Sequence, residues 1–156
     1  MKKYTASYDF LVKSILVLVV ILLIGSIVLK EYSATLILTS VFIVSYVLSP
    51  QYYEVHSSKI TIHRFWKNVE LDTSQISLFR ILEKSELKFA IRTIGVGGMF
   101  GYYGWYYNKM MGKMLWYNTQ RKNNVLIQMK DGKKIILSPD LPQEMVESYQ
   151  NNLKLG

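Results

Sequence analysis

The chain has 156 residues, half of them hydrophobic and 13% aromatic. That is about one domain's worth of sequence, and it excludes both a long disordered chain and a multidomain enzyme. A formal charge of +8 comes with no cysteine, so a disulfide framework, a thiol nucleophile and Cys-based zinc or iron–sulfur centres are excluded as well.

The apolar residues are concentrated near the start. Residues 14–29 and 32–49 carry no charge, and only Lys30 and Glu31 interrupt them. The first run is apolar all round and leaves no water-facing side. At about 1.5 Å per residue it falls slightly short of a roughly 30 Å hydrocarbon layer, and Phe10, Leu11 and Val12 extend it if Lys13 snorkels to the headgroups. The second run stops at Pro50, which removes a helix donor and restricts Ser49. Residues 1–49 are therefore expected to form a transmembrane helical hairpin, with spans at about 10–29 and 32–49. A signal peptide is the competing reading of Met1-Lys2-Lys3, but no Ala-x-Ala-like site follows, and a second apolar run starts within three residues of the first. Gly25, Ser33, Ala34 and Thr39 are small enough for close helix packing, which leaves homo-oligomerisation or membership of a larger membrane complex open.

From Pro50 on the period changes to two. Strands are expected over residues 52–55, 59–65, 69–71, 76–82, 87–93, 114–119, 125–129 and 134–137, spaced as in a sandwich or barrel. Asp131-Gly132 reads as a type I′ turn in the last hairpin. Leu141, Met145, Tyr149 and Leu153 then recur every four residues, the stripe of an amphipathic helix, with Asp140 as N-cap, Gln143 completing a capping box and Pro142 in the first turn.

Residues 95–113 hold six of the nine glycines together with Phe100, Tyr102, Tyr103, Trp105, Tyr106 and Tyr107. The segment reads as a loop. Tyr and Trp favour the headgroup zone, and Met99, Met110 and Met111 add adaptable apolar area. Three roles stay open for it: a cap over the sandwich core, a membrane contact, or a groove for a partner protein. Lys109 and Lys113 beside it, with Arg121 and Lys122 in a basic turn, would supply a cationic rim.

Gly97-Gly98-Met99-Phe100-Gly101-Tyr102-Tyr103-Gly104, Tyr107-Asn108, Trp116-Tyr117-Asn118-Thr119, and Asp131-Gly132 leading to Ser138-Pro139-Asp140 together resemble a bacterial pleckstrin-homology-like domain carried behind two membrane helices. The resemblance covers residues 52–153. It implies two near-orthogonal antiparallel sheets closed at one corner by the C-terminal helix, and a binding module for lipid headgroups, peptides or proteins. Phosphoinositide-binding members carry several Lys and Arg between their first two strands. Here that loop is His56-Ser57-Ser58 with Lys59 alone, which departs from their pattern.

Other chemistry finds little support. The glycine spacing is not G-x-G-x-x-G, and no strand–loop–helix unit surrounds it. His56, His63 and Glu54 make at most a weak surface metal site, and exposed histidines on a solvated strand face are the simpler reading. Glu83 and Glu86 read as solvated charges of a polar turn, with Glu70 and Asp72 likewise outside any apolar pocket. No catalytic residue, cofactor or metal is expected. Nucleic acid is a poor partner for a mildly basic domain held at a membrane. The expected function is a non-enzymatic binding module at the cytoplasmic face of the inner membrane, for protein recruitment or regulation or for sensing anionic lipid. A small membrane-bound enzyme with the Gly/Tyr-rich segment as its lid is the alternative.

Lys2, Lys3 and Lys13 precede the first span, Lys59 and Arg64 follow the second, and the turn carries only Lys30, so both termini are expected in the cytoplasm. The remainder, residues 50–156, holds 15 basic and 9 acidic residues and gains attraction to an anionic leaflet. In intact cells a cysteine at Tyr32 should react with an impermeant reagent and one at Lys133 should not. The reverse pattern would invert the topology.

Overall fold

A computed structural model describes residues 2–154; Met1, Leu155 and Gly156, and the side chains of Leu153 and Lys154, lie outside the described residues. The elements run β1 (Lys2–Thr5), α1 (Phe10–Val28), α2 (Tyr32–Leu48), β2 (Pro50–Val55), β3 (Lys59–Arg64), β4 (Val69–Asp72), β5 (Ile76–Ile81), β6 (Ile91–Gly97), β7 (Tyr102–Asn108), β8 (Gly112–Asn118), β9 (Val125–Met129), β10 (Lys134–Leu137) and α3 (Pro142–Lys154).

The two apolar runs are helices because nothing in them competes with backbone pairing, and both ends of α1 are marked. Asp9 is its N-cap and accepts from Val12 N at 2.9 Å. At the other end Lys30 takes a positive φ of 58°, while Lys30 N and Glu31 N donate to the carbonyls of Ile27 and Ser26. This is a Schellman stop with lysine in the place glycine usually holds, and it turns the chain straight into α2. Ser26 Oγ and Thr35 Oγ1 meet at 2.8 Å between the helices. By length and composition α1 is long and apolar enough to cross a membrane, whereas α2 is a shorter apolar helix of 17 residues.

The strands form two layers. β1-β2-β3-β4 make one sheet, and β5-β9-β10-β8-β7-β6 make the other. All pairings are antiparallel except β8 with β10, which is parallel, because β10 inserts between β8 and β9. The resemblance implied antiparallel sheets throughout; this one pair departs from it. Between the layers lies a core of Tyr53, Ile60, Ile62, Ile127, Ile135 and Leu137, closed by Met145, Val146 and Tyr149 of α3. Tyr149 meets Phe79 edge-on at 4.9 Å. The expected stripe of α3 is thus buried at Met145 and Tyr149, but Leu141 precedes the helix and is exposed, and Leu153 lies outside the described side chains. A second core lies on the other face of the larger sheet. There Val12 of α1 packs with Tyr102, Tyr106, Met114, Trp116 and Ile136.

Four local expectations need correction. The first concerns Lys2 and Lys3, read as a charged flank. They lie in β1, an edge strand paired with β2 from Lys2↔Val55 to Thr5↔Tyr52, with Tyr4 turned into the core. A four-residue strand carries too little pattern to be seen beside a 19-residue apolar run. Second, Asp140 does not serve as a helix cap. Its carboxylate accepts from Thr5 Oγ1 (2.7 Å), Ser7 Oγ (2.8 Å), Ser7 N (3.1 Å) and Gln120 Nε2 (3.0 Å), which fastens the segment between β1 and α1 to the sandwich. Third, the hairpin of β9 and β10 turns at Gly132 with φ 85°, but Asp131 is not in the left-handed region. Gly132 N donates to Met129 O and Met129 N to Lys133 O, the pattern of a type I turn with a glycine bulge, not type I′. Fourth, residues 87–90 are not a strand. They form successive turns in which Leu87 and Ala90 pack on the second core while Phe89, at φ 58°, points outward.

Replacing Asp140 with Ala leaves Thr5, Ser7 and Gln120 without their shared acceptor. The domain should lose about 1–3 kcal/mol in denaturant unfolding, with exchange protection falling first in β1. Unchanged protection of β1 would contradict the fastening role.

Candidate binding surface

The glycine- and tyrosine-rich segment is not a loop. It is the hairpin β6–β7, with a tip at residues 98–101, followed by β8. Gly95, Gly97, Gly104 and Gly112 belong to paired strands, and only Gly98 and Gly101 lie in the tip. Gly95 and Gly104 sit opposite each other with φ of 131° and 117°, and a Cβ on either would meet the partner strand's carbonyl oxygen at 2.2–2.3 Å. Glycine is needed there because two backbones approach too closely for a side chain. Composition alone does not separate that need from the flexibility of a loop.

Alternation along β7 then sorts the candidate aromatics by face. Tyr102 and Tyr106 turn to the second core, where Tyr106 stacks on Trp116 at 4.1 Å and donates to Val96 O. Tyr103 points the other way and donates its hydroxyl to Ser45 O of α2. Phe100 at the tip is buried between the domain and the helices. Its ring lies 4.9 Å from Phe42, 5.2 Å from Tyr46 and 6.3 Å from Tyr8. Phe100, Tyr102, Tyr103 and Tyr106 are thus internal side chains, turned away from any surface contact. Burial, and after it the Asp9 carboxylate beside it, pushes the Tyr102 phenol up to about 12, while burial raises Tyr103 and Tyr106. These phenols are neutral at any physiological pH.

The remaining candidates stay at the surface. Trp105 is half-exposed on the outer face, with Lys113 Nζ 4.4 Å from its ring centroid. Lys109 is exposed in the turn after β7. Arg121 covers the Tyr102 ring at 4.8 Å and donates its backbone N–H to Asp9, and Lys122 follows it in the same bend.

The sequence reading singled out Tyr107 and Met110 but missed Phe89, Ile91 and Lys88, which complete this surface. At the end of the hairpin away from the helices, Phe89, Ile91, Tyr107 and Met110 line an open groove of about 480 Å³ with Lys88 and Lys109 on its rim. Phe89, Ile91 and Met110 are 84%, 63% and 69% exposed. Tyr107 also borders an adjoining apolar depression floored by Ile94 and Trp105 beside Lys113. No acidic side chain lines either hollow. Among the described residues β6 is an edge strand that pairs only with β7, and it is exposed over most of its length.

The turn that carries Phe89 is held by charge. Arg80 donates both guanidinium nitrogens to the Glu86 carboxylate, one at 2.8 Å, and Glu83 N adds a third bond at 3.0 Å. Glu86 is therefore a paired, largely covered group, not the solvated charge expected of it. The Arg80 bonds hold its carboxyl down at about 2. Elsewhere Glu54 Oε2 accepts from His63 Nε2 at 2.8 Å, with His56 Nε2 3.9 Å away and His63 stacked on Tyr52. Among the described residues no group of three acidic, Cys or His side chains is arranged to hold a metal ion.

Glu86 titrates lower in the folded than in the unfolded chain. Its stabilisation is therefore complete above about pH 4.5 and fades as pH falls toward 2. Because Arg80 is partly open to solvent, Glu86→Gln should cost about 1 kcal/mol at neutral pH and should flatten that acid limb of the stability curve. An identical limb in the variant would remove Glu86 as its source.

No curated protein and no solved structure matches the chain. A family model described as bacterial PH domain matches residues 51–153, the stretch that forms β2 to α3, including both layers of the sandwich, the closing helix and the hairpin surface. The chain belongs to the bacterial PH domain family.

Proposed function

We propose that this protein is a membrane-anchored, non-enzymatic PH-like module that takes a protein segment at the cytoplasmic face of the membrane, in the groove of Phe89, Ile91, Tyr107 and Met110. The anchor reading draws on α1 and α2, both of which leave most of their apolar side chains exposed, as suits lipid and not water. Topology adds a second support. β1 and β2 pair in one sheet, so the chain must leave and return on the same side of a bilayer, and α1 and α2 then cross as a pair. The lysine asymmetry around the spans puts that side in the cytoplasm.

The observation that carries the binding reading is the apolar groove with its lysine rim. Large exposed apolar side chains on a monomer mark a contact surface, and Lys88, Lys109 and Lys113 suit a partner with acidic residues flanking an apolar stretch. The hairpin contacts to α2 described above come from Phe100 and Tyr103, at or next to its tip. Tyr107 lies four residues beyond Tyr103, about 13 Å along the strand. That distance favours a protein over the bilayer as occupant. The absence of acidic side chains from both hollows favours binding over acid–base chemistry.

A photo-crosslinking side chain at Ile91 or Met110, in the full-length protein in its membrane, should give a discrete protein adduct, and one at Lys133 should not. Ile91→Glu should abolish the Met110 adduct without altering the melting curve, since Ile91 touches no core. Lipid adducts alone, or an adduct that survives Ile91→Glu, would overturn the assignment.

A further inference from the structure

We infer that the turn between β3 and β4 is a third membrane contact, with Phe65 and Trp66 seated among the lipid headgroups and acyl-chain ends beside α2; this rests on α2 crossing the bilayer. Phe65 and Trp66 are 69% and 79% exposed, at the tip of a hairpin whose other apolar residues, Ile60, Ile62 and Leu71, are in the core. Their exposure is built in. Arg64 Nε donates to Lys67 O at 2.8 Å and Arg64 N to Asn68 Oδ1 at 3.2 Å, so the turn is fastened to itself and not folded down onto the sheet.

Its position names the occupant. The Phe65 ring lies 5.9 Å from Tyr46, and Trp66 N is 3.4 Å from Val47 O, both in the last turn of α2. Seventeen residues span only about 26 Å, against a hydrocarbon layer of roughly 30 Å. A helix that short has no turn to spare as a stalk, so its last turn, with Phe65 and Trp66 beside it, lies at the layer's edge. Indole and phenyl rings next to Arg64 and exposed Lys67 are the chemistry of that zone: amphipathic rings at the headgroup level and cations toward anionic phosphates. The geometry points to a lipid surface and not to a pocket ligand, because the two rings protrude and enclose nothing.

The test uses the full-length protein reconstituted into vesicles of zwitterionic lipid with an anionic admixture, prepared with and without acyl-chain-brominated lipid. Tryptophan emission should be quenched by the brominated lipid. Trp66→Phe should remove most of that quenching, while Trp105→Phe leaves it in place. Both substitutions fall on exposed or half-exposed rings, so the melting curve should not move, and Phe65→Ala gives a second variant with the Trp66 signal intact but less quenched. Protein that floats with the vesicles yet shows no Trp66-dependent quenching would overturn this contact while leaving the anchor in place. Failure to float at all would overturn the anchor reading together with it. Shielding of Trp66 in native membranes but not in protein-free lipid would assign the turn to a protein neighbour, and so overturn the lipid contact.

Discussion

The carboxylate of Asp9 joins the two halves of the molecule. One side chain caps α1 through Val12 N, accepts from the Tyr102 hydroxyl of β7 at 3.2–3.3 Å, and accepts from Arg121 N in the bend after β8 at 3.1 Å. A capping residue normally serves its own helix alone. Here the same oxygens that start the apolar helix also fix the direction in which it leaves the sheet. Val12 continues the joint one turn later as a fully buried member of the second core, and Tyr103 and Phe100 repeat it on the other side against α2. The helices are joined to the sandwich at their domain-proximal ends by packed side chains.

This joint explains which parts of the fold could be read from sequence. The long signals were legible: two uncharged runs, the alternation of β2 and β3, the apolar runs of β9 and β10 on either side of Asp131-Gly132, and the four-residue recurrence of α3. Each depends on a single element's own burial pattern. What was not legible depends on two distant segments meeting. β1 is a strand because β2 is there to pair with it, and Asp140 serves Thr5 and Ser7 some 135 positions away instead of its own helix. Lys30 adopts a glycine-like φ because the helical turn demands it. Asp9 immediately before an apolar run was a start signal available from sequence; its second and third partners were not.

The candidate surface divides along the same line. Aromatic richness in residues 95–113 drew attention to the right hairpin, but composition carries no facing information. Once β7 is a strand, alternation sends Tyr102 and Tyr106 inward, and the helices cover Phe100 and Tyr103, so four of the six aromatics first singled out are packed inside the molecule. The exposed apolar groups come largely from residues that looked ordinary, Phe89 in a tight turn and Ile91 and Ile94 on an edge strand, joined by Met110, which the sequence had marked. Their exposure follows from edge position. Among the described residues no strand pairs with β6 on its outer side.

The pairing of β1 with β2 makes the entire helical segment an insertion within one β-hairpin. In water, closing a loop of that length before its first ladder bond forms would cost a few kcal/mol of chain entropy. If the two helices insert side by side in a bilayer, as proposed, they bring the ends of the insertion together before any strand pairs, and that entropy is then spent on insertion and not on sheet formation. β1 leaves the ribosome first yet must wait for everything through β2, and the sandwich closes its edge only after the hairpin has formed. Under the proposed anchoring, lipid insertion would be the nucleating step for a β-domain that itself lies outside the hydrocarbon.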